Sequence, residues 1–338
     1  MNEQTQNALE RMSLAELFRT WPVLHDFFEN LRLSPDLSLT AEDALLSLSP
    51  EDLADFALLP MDVYDQFLQY FERFTAPASD QGVIQALTLI GGHDKSGVPE
   101  ECRLNVCPGD IISVVGPTGS GKSRLLEDIE CLAQGDTPTG RRILLNHAPV
   151  PDDIRFGTRH KPVAQLTQNM NFVMDLTVRE FLEMHARCRL QPDEKARIAA
   201  CFDCAIRLSG EAFELDTKVT RLSGGQSRAL MITDTACMSR SPIILVDEIE
   251  NAGINRHEAI RLLAQEGKIV FLSTYDPVLA LNASRRIVIK NGGICKILHT
   301  TSEERAGLHI IERLDSILRG VQDDLRRGER ITITEMPG

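Results

Sequence analysis

Three features that mark particular classes of protein are scarce in this chain: aromatic side chains, long apolar runs and excess positive charge. Aromatic residues make up 5% of the 338 residues, which argues against a stacking surface for single-stranded nucleic acid. No run approaches about 18 consecutive apolar residues, so no segment is predicted to cross a bilayer. Residues 1–10 are polar and lack a basic start, which predicts no secretory signal and a cytoplasmic protein. The eight cysteines are therefore expected to be reduced thiols.

Negative charge is concentrated at the front of the chain. Residues 1–80 contain 15 acidic and 4 basic side chains, whereas residues 81–338 contain 34 and 32. An acidic front argues against a basic nucleic-acid-binding arm, so no nucleic-acid partner is expected. The acidic side chains form either a solvated surface or a docking face for a basic partner, and the sequence leaves both readings open.

Helix-start signals recur through residues 12–74. Ser13 opens a capping-box pattern before an apolar run, and Ser49 precedes a proline and two acids in the order typical of a helix start. Apolar and aromatic residues then recur at helical spacing, so the aromatics are expected to form a small core. Residues 1–75 are predicted to be an acidic all-helical accessory domain, followed by a linker at 76–81.

Beyond residue 82 the sequence changes to alternating strands and helices. Three branched apolar runs predict buried parallel strands covered on both faces: Ile111–Val115, Ile243–Val246 and Ile269–Leu272. Asn291 and Gly292 between two apolar segments predict a β-hairpin, and residues 309–327 predict one amphipathic helix. This part of the chain is therefore predicted to be α/β.

A complete phosphate-binding loop, G-x-x-x-x-G-K-S, follows the first of these strands. Its glycines allow backbone N–H groups to converge on phosphate oxygens, and the positive end of the next helix favours the anion. Lys122 is expected to bridge the β- and γ-phosphates, and the Ser123 hydroxyl to ligate Mg²⁺. The loop comprises Gly116, Pro117, Thr118, Gly119, Ser120, Gly121, Lys122 and Ser123. The sequence therefore predicts a nucleotide and Mg²⁺ as ligands.

Two further motifs follow the phosphate-binding loop in a fixed order. Residues 222–226 read LSGGQ, and a later apolar strand ends in Asp247 and Glu248. This order and spacing resemble the ABC-type (ATP-binding cassette) ATPases over residues 82–300. The chain carries one cassette and no sequence repeat.

The resemblance implies an α/β fold class, namely a P-loop NTPase of ABC type with a mixed sheet core plus a helical subdomain. A small all-α N-terminal domain precedes it here. The cassette is placed at 82–305, its helical subdomain at about 169–225, and a C-terminal helix and tail at 306–338. The front segment resembles a small helical domain of unknown function on iron–sulfur-associated proteins of anaerobes. Members of that domain family often carry cysteines, whereas residues 1–101 contain none.

The ABC-type family also implies roles for the motif residues. Asp247 would hold Mg²⁺, and Glu248 would polarise the attacking water as general base. Gln168 matches the glutamine that touches Mg²⁺ and this water, with Gln165 as a rival. The signature motif contacts the γ-phosphate bound to the opposite subunit, which implies a head-to-tail homodimer or a related partner cassette. The signature residues are Ser223, Gly224, Gly225 and Gln226.

Four departures from the family pattern bear on this site. Tyr275 stands in place of the switch histidine, and because a phenol stays neutral near pH 7 and relays protons poorly, slow ATP hydrolysis is predicted. Arg124 replaces a threonine next to the α-phosphate, although it is still placed at the nucleotide. Ile249 and Glu250 replace a proline and a threonine, and the following loop lacks an aspartate, so communication across the dimer is expected to differ. Fourth, no clear aromatic residue precedes the phosphate-binding loop to stack on adenine, and His93 is the nearest candidate.

Two short histidine and cysteine pairs have a spacing that metal sites use. His185 and Cys188 form H-x-x-C, and Cys201 and Cys204 form C-x-x-C, which could hold Zn²⁺ or an iron–sulfur cluster. Both pairs fall in predicted helices, where thiols commonly serve as small apolar core residues. Core packing is the favoured interpretation.

The motifs predict an ATP hydrolase that drives a conformational change in a partner. The first interpretation is the nucleotide-binding subunit of an ABC transport system, held at the cytoplasmic membrane face by a separate permease subunit. The alternative is a soluble ABC ATPase that remodels or activates a protein partner, for example in metalloprotein maturation. A third interpretation is a nucleotide-gated binding protein in which hydrolysis is incidental.

Overall fold

The structure is a computed structural model that describes residues 9–21, 23–49, 53, 59–75, 84–156, 161–167, 171–188, 193–249 and 254–331. The chain divides into two compact units, residues 1–83 and 84–338. Each unit has a hydrophobic core of its own.

The described residues of the first unit with regular structure are helical. Its main helices are α1 (Leu14–Thr20), α2 (Leu24–Asn30), α3 (Ala41–Leu46) and α4 (Pro60–Thr75). The Glu16 N–H donates to the Ser13 hydroxyl at 3.3 Å, and the Glu16 carboxylate accepts from the Ser13 N–H at 3.0 Å. The predicted capping box is therefore confirmed. The helix predicted after Ser49 lies largely outside the described residues.

Aromatic side chains fill the core of the first unit, as the sequence predicts. Phe27 meets Phe67 edge to face with 5.3 Å between ring centroids, and Trp21 meets Phe71 in the same way at 5.5 Å. Phe67 and Phe71 are fully buried. Such ring pairs add about 0.5–1.5 kcal/mol beyond the burial of apolar area.

Two sheets organise the second unit. Its strands are β1 (Leu87–Ile90), β2 (Arg103–Val106), β3 (Ile111–Val115), β4 (Arg142–Leu145), β5 (Ala148–Pro149), β6 (Val163–Leu166), β7 (Ile243–Asp247), β8 (Ile269–Ser273), β9 (Arg285–Lys290) and β10 (Gly293–His299). An antiparallel sheet has the order β2-β1-β4-β5, and a larger sheet has the order β10-β9-β3-β8-β7-β6. In the larger sheet only β10 is antiparallel to its neighbour. The three predicted buried strands are confirmed as β3, β7 and β8.

Helices cover the larger sheet and form a separate helical layer. They are α5 (Lys122–Glu130), α6 (Asp152–Phe156), α7 (Val178–Cys188), α8 (Glu194–Ser209), α9 (Gly224–Cys237), α10 (Arg256–Leu263), α11 (Pro277–Asn282) and α12 (Ser302–Arg327). Side chains of α7, α8 and α9 share one hydrophobic core, whose centre includes Phe181, Cys201 and Leu230. The helix α9 contributes Leu230 to this core and also packs Ala229 and Ile232 against the larger sheet.

The C-terminal hairpin forms as predicted, whereas the C-terminal helix differs. Asn291 and Gly292 make the two-residue turn between β9 and β10, both with positive φ (50° and 82°). The predicted start of α12 at residue 309 is wrong because the Thr301 hydroxyl caps an earlier turn at 3.1 Å from the Glu304 N–H. The apolar side of α12 is also largely exposed rather than buried.

Candidate nucleotide-binding site

The phosphate-binding loop connects the end of β3 to the start of α5. Gly121 caps α5 with a φ of 108°, and Lys122 and Ser123 form the first turn of the helix. The first N–H groups of a helix have no partner within the helix, so this end of α5 presents donors to an anion. The loop thus stands at the carboxyl edge of the larger sheet.

Two loop positions require glycine because backbone approaches them closely. A Cβ atom on Gly116 would lie 2.4 Å from the Ile289 carbonyl oxygen, and one on Gly121 would lie 2.9 Å from the Gly292 Cα. The left-handed φ of Gly121 adds a second restriction. The C-terminal hairpin is therefore packed directly against the loop.

The hairpin turn and a lysine hold the loop by hydrogen bonds. The Gly292 N–H donates to the Ser120 carbonyl oxygen at 2.7 Å. The Lys95 ammonium donates to the Gly119 carbonyl oxygen at 3.3 Å. Lys95 is thus a second cation at the loop beside Lys122. Sequence reasoning missed Lys95 because it lies in an irregular segment that carries no motif.

A buried charge triad fixes the same hairpin turn from the other side. Arg141 is fully buried and donates to Glu100 and Asp128, each at 2.9 Å, and to the Gly292 carbonyl oxygen at 2.7 Å. Burial raises the pKa of Glu100, but the hydrogen bonds from Arg141 and from backbone N–H groups outweigh it and hold that pKa below its ordinary value. Arg141 therefore positions the loop through Gly292.

Two predicted Mg²⁺ ligands lie together beyond the loop. The Ser123 hydroxyl donates to Asp247 Oδ2 at 3.1 Å. Asp247 Oδ1 is buried and has no hydrogen-bond partner in the described part of the chain. A hydroxyl oxygen and an unpaired carboxylate oxygen are both ligands that suit Mg²⁺. The residues therefore fit this ion. The third predicted ligand, Gln168, lies outside the described residues.

Glu248 follows β7 in an unusual backbone conformation. Its φ of 49° lies in the left-handed region, and its N–H donates to the Ser273 carbonyl oxygen at 3.1 Å. Residues other than glycine rarely adopt this conformation, which costs on the order of 1–3 kcal/mol and clusters at functional sites. The hydrogen bond to β8 thus holds Glu248 at the carboxyl edge of the sheet, one residue beyond Asp247.

Tyr275 covers the lysine of the loop. The Lys122 ammonium lies 3.7 Å from the centre of the Tyr275 ring and donates to the Gly116 carbonyl oxygen at 3.2 Å. The Tyr275 hydroxyl donates to the Thr118 hydroxyl oxygen at 3.1 Å. A phosphate that binds Lys122 must therefore replace a cation–π contact and a backbone contact.

The signature motif forms the exposed N-terminus of α9. The Ser223 hydroxyl accepts from the Gln226 N–H at 3.2 Å, and the Gln226 side chain accepts from the Ser223 N–H at 2.9 Å. Ser223 and Gly224 are exposed. Within the described residues of one chain, no hydrogen bond joins this motif to the phosphate-binding loop. The motif is therefore folded as a capped helix end that faces solvent.

The chain is similar to known proteins over much of its length. The ABC transporter family model matches residues 100–251. The uncharacterized ABC transporter ATP-binding protein MJ0121 of Methanocaldococcus jannaschii is 51% identical over 250 residues, which cover 74% of this chain and 95% of that protein. The chain belongs to the ABC-type ATPases. The macrolide export ATP-binding/permease protein MacB of Neisseria meningitidis is 30% identical over 208 residues, which cover 60% of this ATPase and 32% of MacB.

Solved structures support the fold of the ATPase. The dimeric structure of MJ0796, a bacterial ABC transporter cassette, has a TM-score of 0.51 and 24% identity, and covers 64% of this chain and 99% of its own. The structure of cbiO1 from Clostridium perfringens, part of the ABC transporter complex cbiONQ, has a TM-score of 0.51 and 18% identity, with 72% and 99% covered. The predicted ABC-type P-loop NTPase fold is therefore confirmed.

Several predicted site residues of the ATPase sit away from the contacts described above. Arg124 pairs with Glu127 on α5 at 2.8 Å. The His93 Nδ1 lies 3.1 Å from the Asp94 carbonyl oxygen. Ile249 is buried, whereas Glu250 lies outside the described residues. The roles of Arg124 and His93 at the nucleotide stay predictions.

The histidine and cysteine pairs of the helical layer lie on helices, as predicted. His185 on α7 is 2.8 Å from the Asp234 carboxylate of α9, a partner that the sequence pattern does not indicate. In the described ranges, no three histidine, cysteine or acidic side chains are arranged to hold a metal ion.

The described helices also include none that is long and apolar enough to cross a membrane.

Proposed function

We propose that this ABC-type ATPase binds MgATP between its phosphate-binding loop and the signature motif of a second copy, and hydrolyses it to drive a partner's conformational change. The observation that carries the proposal is the convergence of Lys122, Ser123 and Asp247 at the carboxyl edge of the sheet, with one Asp247 oxygen buried and unpaired. Carboxylate, hydroxyl and ammonium groups at a helix N-terminus are what a nucleoside triphosphate with Mg²⁺ requires.

The loop residues bind and orient the phosphates. Lys122 exchanges its contact with the Gly116 carbonyl for the β- and γ-phosphate oxygens, and the N–H groups of residues 119–123 donate to the phosphates. Ser123 and Asp247 would hold Mg²⁺, with Gln168 proposed as a further ligand. The ion would supply positive charge that stabilises the negative charge developing on the phosphate oxygens.

Glu248 is the proposed general base for the attacking water. The carboxylate accepts a proton from the water as the water oxygen forms a bond to the γ-phosphorus and the bond to ADP breaks.

Tyr275 is proposed to donate its hydroxyl hydrogen bond to the γ-phosphate in place of Thr118. We expect Tyr275→His to speed single-turnover hydrolysis, with Tyr275→Phe as the control that removes only the hydroxyl. Equal rates for wild type and Tyr275→His would contradict the prediction that the tyrosine slows hydrolysis, and equal rates for wild type and Tyr275→Phe would contradict the proposed hydrogen bond.

The signature motif is assigned to the nucleotide of the opposite subunit. Ser223, Gly224, Gly225 and Gln226 form an exposed helix end, whose free N–H groups favour an anion. Because no hydrogen bond connects this end to the loop of its own chain in the described residues, a second copy is the proposed source of the phosphate. The resulting complex is a head-to-tail homodimer.

The decisive experiment measures the mass of the protein in solution with and without nucleotide. Glu248→Gln should form a dimer with ATP and Mg²⁺ and remain monomeric with Mg²⁺ alone. Lys122→Ala in the same background should lose the dimer because ATP no longer binds, and Lys161→Ala is a control on a lysine that pairs with Glu130. A monomer under all conditions would overturn the head-to-tail arrangement.

The partner is proposed to be the permease subunit of an ABC transport system. The names of MJ0121 and MacB support this, because both describe ATP-binding proteins of transporters. The alternative is a soluble protein partner. It is favoured by the first unit, which has a hydrophobic core of its own and lies outside residues 100–251, the range that the ABC transporter family model matches. Affinity purification of Glu248→Gln with ATP from gently solubilised cells separates the two: a stoichiometric membrane protein supports the first, a soluble enzyme the second.

A further inference from the structure

The C-terminal helix α12 carries a row of apolar side chains on its exposed surface. Leu318 is 62% exposed and Leu325 is 59% exposed. With about 100° of rotation per residue, the members of the row fall within an arc of about 100° around the helix and extend for about 22 Å along it. We call this row the apolar stripe. Its members are Ile310, Leu314, Ile317, Leu318, Val321 and Leu325.

A different side of α12 holds the helix to the rest of the second unit. Glu304 pairs with Arg286 at 2.5 Å, and Asp315 pairs with Arg256 at 3.3 Å. Ile311, between these two anchors in the sequence, is partly buried. This anchoring side lies about 90° around the helix from the centre of the apolar stripe. The apolar stripe is therefore distinct from the side that anchors the helix.

An exposed apolar row of this length indicates a contact surface. Single exposed apolar side chains are common on soluble proteins, whereas continuous exposed apolar patches mark sites of interaction. In a helix that serves only its own unit, the apolar side is the one that faces the core. The apolar stripe is therefore expected to meet a surface of matching shape.

The spacing within the apolar stripe is the same when it is read from either end. Successive members are separated by four, three, one, three and four residues. Two copies of α12 that run antiparallel therefore place apolar side chains opposite each other at every level. A two-fold axis between Ile317 and Leu318 generates this arrangement, in which both copies use the same surface. The facing pairs are Ile310 with Leu325, Leu314 with Val321, and Ile317 with Leu318.

Charges at one margin of the apolar stripe complement each other in the same arrangement. Arg313 and Asp324 lie on this margin, within about 20° of each other around the helix. Asp324 also pairs with Arg327 of its own helix at 2.5 Å. Because the two-fold axis brings equal margins together, Arg313 of one copy comes within two residues of the level of Asp324 of the other copy. The margin of α12 thus attracts the same margin of a second copy.

We propose that the apolar stripe of α12 is a self-association surface, on which a second copy of this chain docks through its own α12 in antiparallel orientation. The anchors Glu304 and Asp315 precede the two-fold axis in the sequence, so the second units of the two copies attach towards opposite ends of the helix pair. A contact between two helix faces is small beside the roughly 1,600 Å² buried in a typical stable complex. We therefore expect a dissociation constant on the order of 10 µM.

This contact is separate from the head-to-tail dimer of the proposed function. It involves no residue of the phosphate-binding loop or of the signature motif, and it needs no nucleotide. With a dissociation constant of about 10 µM, the protein without nucleotide is mostly monomeric at about 1 µM and mostly dimeric at about 100 µM. Nucleotide-dependent dimerisation is therefore tested at the lower concentration, and the α12 contact at the higher concentration without nucleotide.

Sedimentation velocity of the full-length protein without nucleotide measures the association. Leu318→Asp should raise the dissociation constant at least tenfold, because it places a charge in the apolar contact. Ser316→Asp adds the same charge on the exposed polar side of α12 and is the matched control. A protein that stays monomeric at about 100 µM, or equal effects of the two variants, would overturn the proposal.

A charge exchange tests the margin of the apolar stripe. Arg313→Asp and Asp324→Arg should each raise the dissociation constant about fivefold, because each places like charges at both ends of the contact. The double variant should return it towards the wild-type value. If the effects of the two single changes simply multiplied in the double variant, the proposed pairing of the margins would be wrong.

Disulfide cross-linking determines the direction of the pairing. In the double variant Ile310→Cys with Leu325→Cys, mild oxidation at about 100 µM should link position 310 of one copy to position 325 of the other, as identified by peptide mass spectrometry. Neither single variant should form this link. A link between two 310 positions would overturn the antiparallel arrangement. A link from either position to a native cysteine within a monomer would show that the chain covers its own apolar stripe, which would also overturn the proposal.

Discussion

The two units of the chain treat buried polar groups in different ways. In the described part of the first unit every buried side chain is apolar. The second unit buries five side-chain atoms that have no hydrogen-bond partner in the described residues. They are Ser120 Oγ, Asp128 Oδ1, Asp247 Oδ1, Ser273 Oγ and Arg286 Nη1. An unpaired buried polar group is costly and rare, and two of these atoms belong to the candidate nucleotide-binding site: Ser120 lies in the phosphate-binding loop and Asp247 lies beside Ser123. The buried side chains of the first unit thus serve stability, whereas unpaired polar atoms at the sheet edge of the second unit suit a ligand.

The largest expected effect is the loss of the buried triad. Arg141→Ala leaves the carboxylates of Glu100 and Asp128 buried without their cation, which should cost about 4 kcal/mol of unfolding free energy in the second unit. Urea denaturation of the full chain measures it. Fluorescence of Trp21, the only tryptophan, follows the first unit, and nucleotide binding follows the second. The exposed neighbour Arg142→Ala is the control. An unchanged urea midpoint of the second unit would show that the triad does not stabilise it.

The reverse experiment truncates the apolar core of the first unit. Phe67→Ala should cost about 3 kcal/mol through lost burial and a residual cavity. The Trp21 transition should move to lower urea, while ATP affinity of the second unit stays unchanged. Leu59→Ala, at an exposed position, is the matched control. A fall in ATP affinity would contradict the separation of roles between the units.

A smaller effect with the opposite sign is expected at the metal ligand. Asp247→Asn removes a buried charge whose Oδ1 has no partner, so without Mg²⁺ the second unit should gain about 1 kcal/mol of unfolding free energy. Magnesium-dependent ATP hydrolysis should be lost in the same variant. Asp153→Asn, on the exposed surface of α6, controls for net charge. A lower unfolding free energy for Asp247→Asn would show that the unpaired oxygen does not destabilise the second unit.

The smallest expected effect is a dependence of stability on pH. The pKa of Glu100 is lower in the folded protein than its ordinary value of 4.5, so its stabilising contribution is complete above that value and is lost as pH falls through the folded pKa. The urea midpoint of the second unit should therefore fall as pH is lowered below about 4.5. In Glu100→Gln this dependence should weaken, whereas the exposed neighbour Glu101→Gln should retain it. An identical dependence in both variants would exclude Glu100 as its source.

Local signals account for most of what the sequence predicts correctly. The cap at Ser13, the Asn291–Gly292 turn and the strand at Ile111–Val115 each depend on a few adjacent residues whose backbone preferences agree with the fold. The phosphate-binding loop is likewise a contiguous motif. Its association with Asp247 follows from the parallel order of the strands, and the ABC-type resemblance implies it.

Residues that act through distant partners were not predictable in this way. Arg141 has the sequence context of an ordinary surface arginine, and its burial depends on Glu100 and Gly292, which lie far from it in the chain. Lys95 reaches the loop only because the hairpin turn brings its segment there. The α12 start was predicted too late because residues 302–308 lack the apolar spacing on which the prediction relied.

The hydrogen bond from Gly292 to Ser120 also sets the order in which the site can mature during synthesis. The loop leaves the ribosome roughly 170 residues before the turn that supports it, which at about 5–20 residues per second is an interval of about 10–30 s. During that interval the nascent chain carries a complete phosphate-binding sequence without the donor that shapes it. We therefore expect the loop to reach its folded conformation only late in translation, when nearly the whole cassette has already been made.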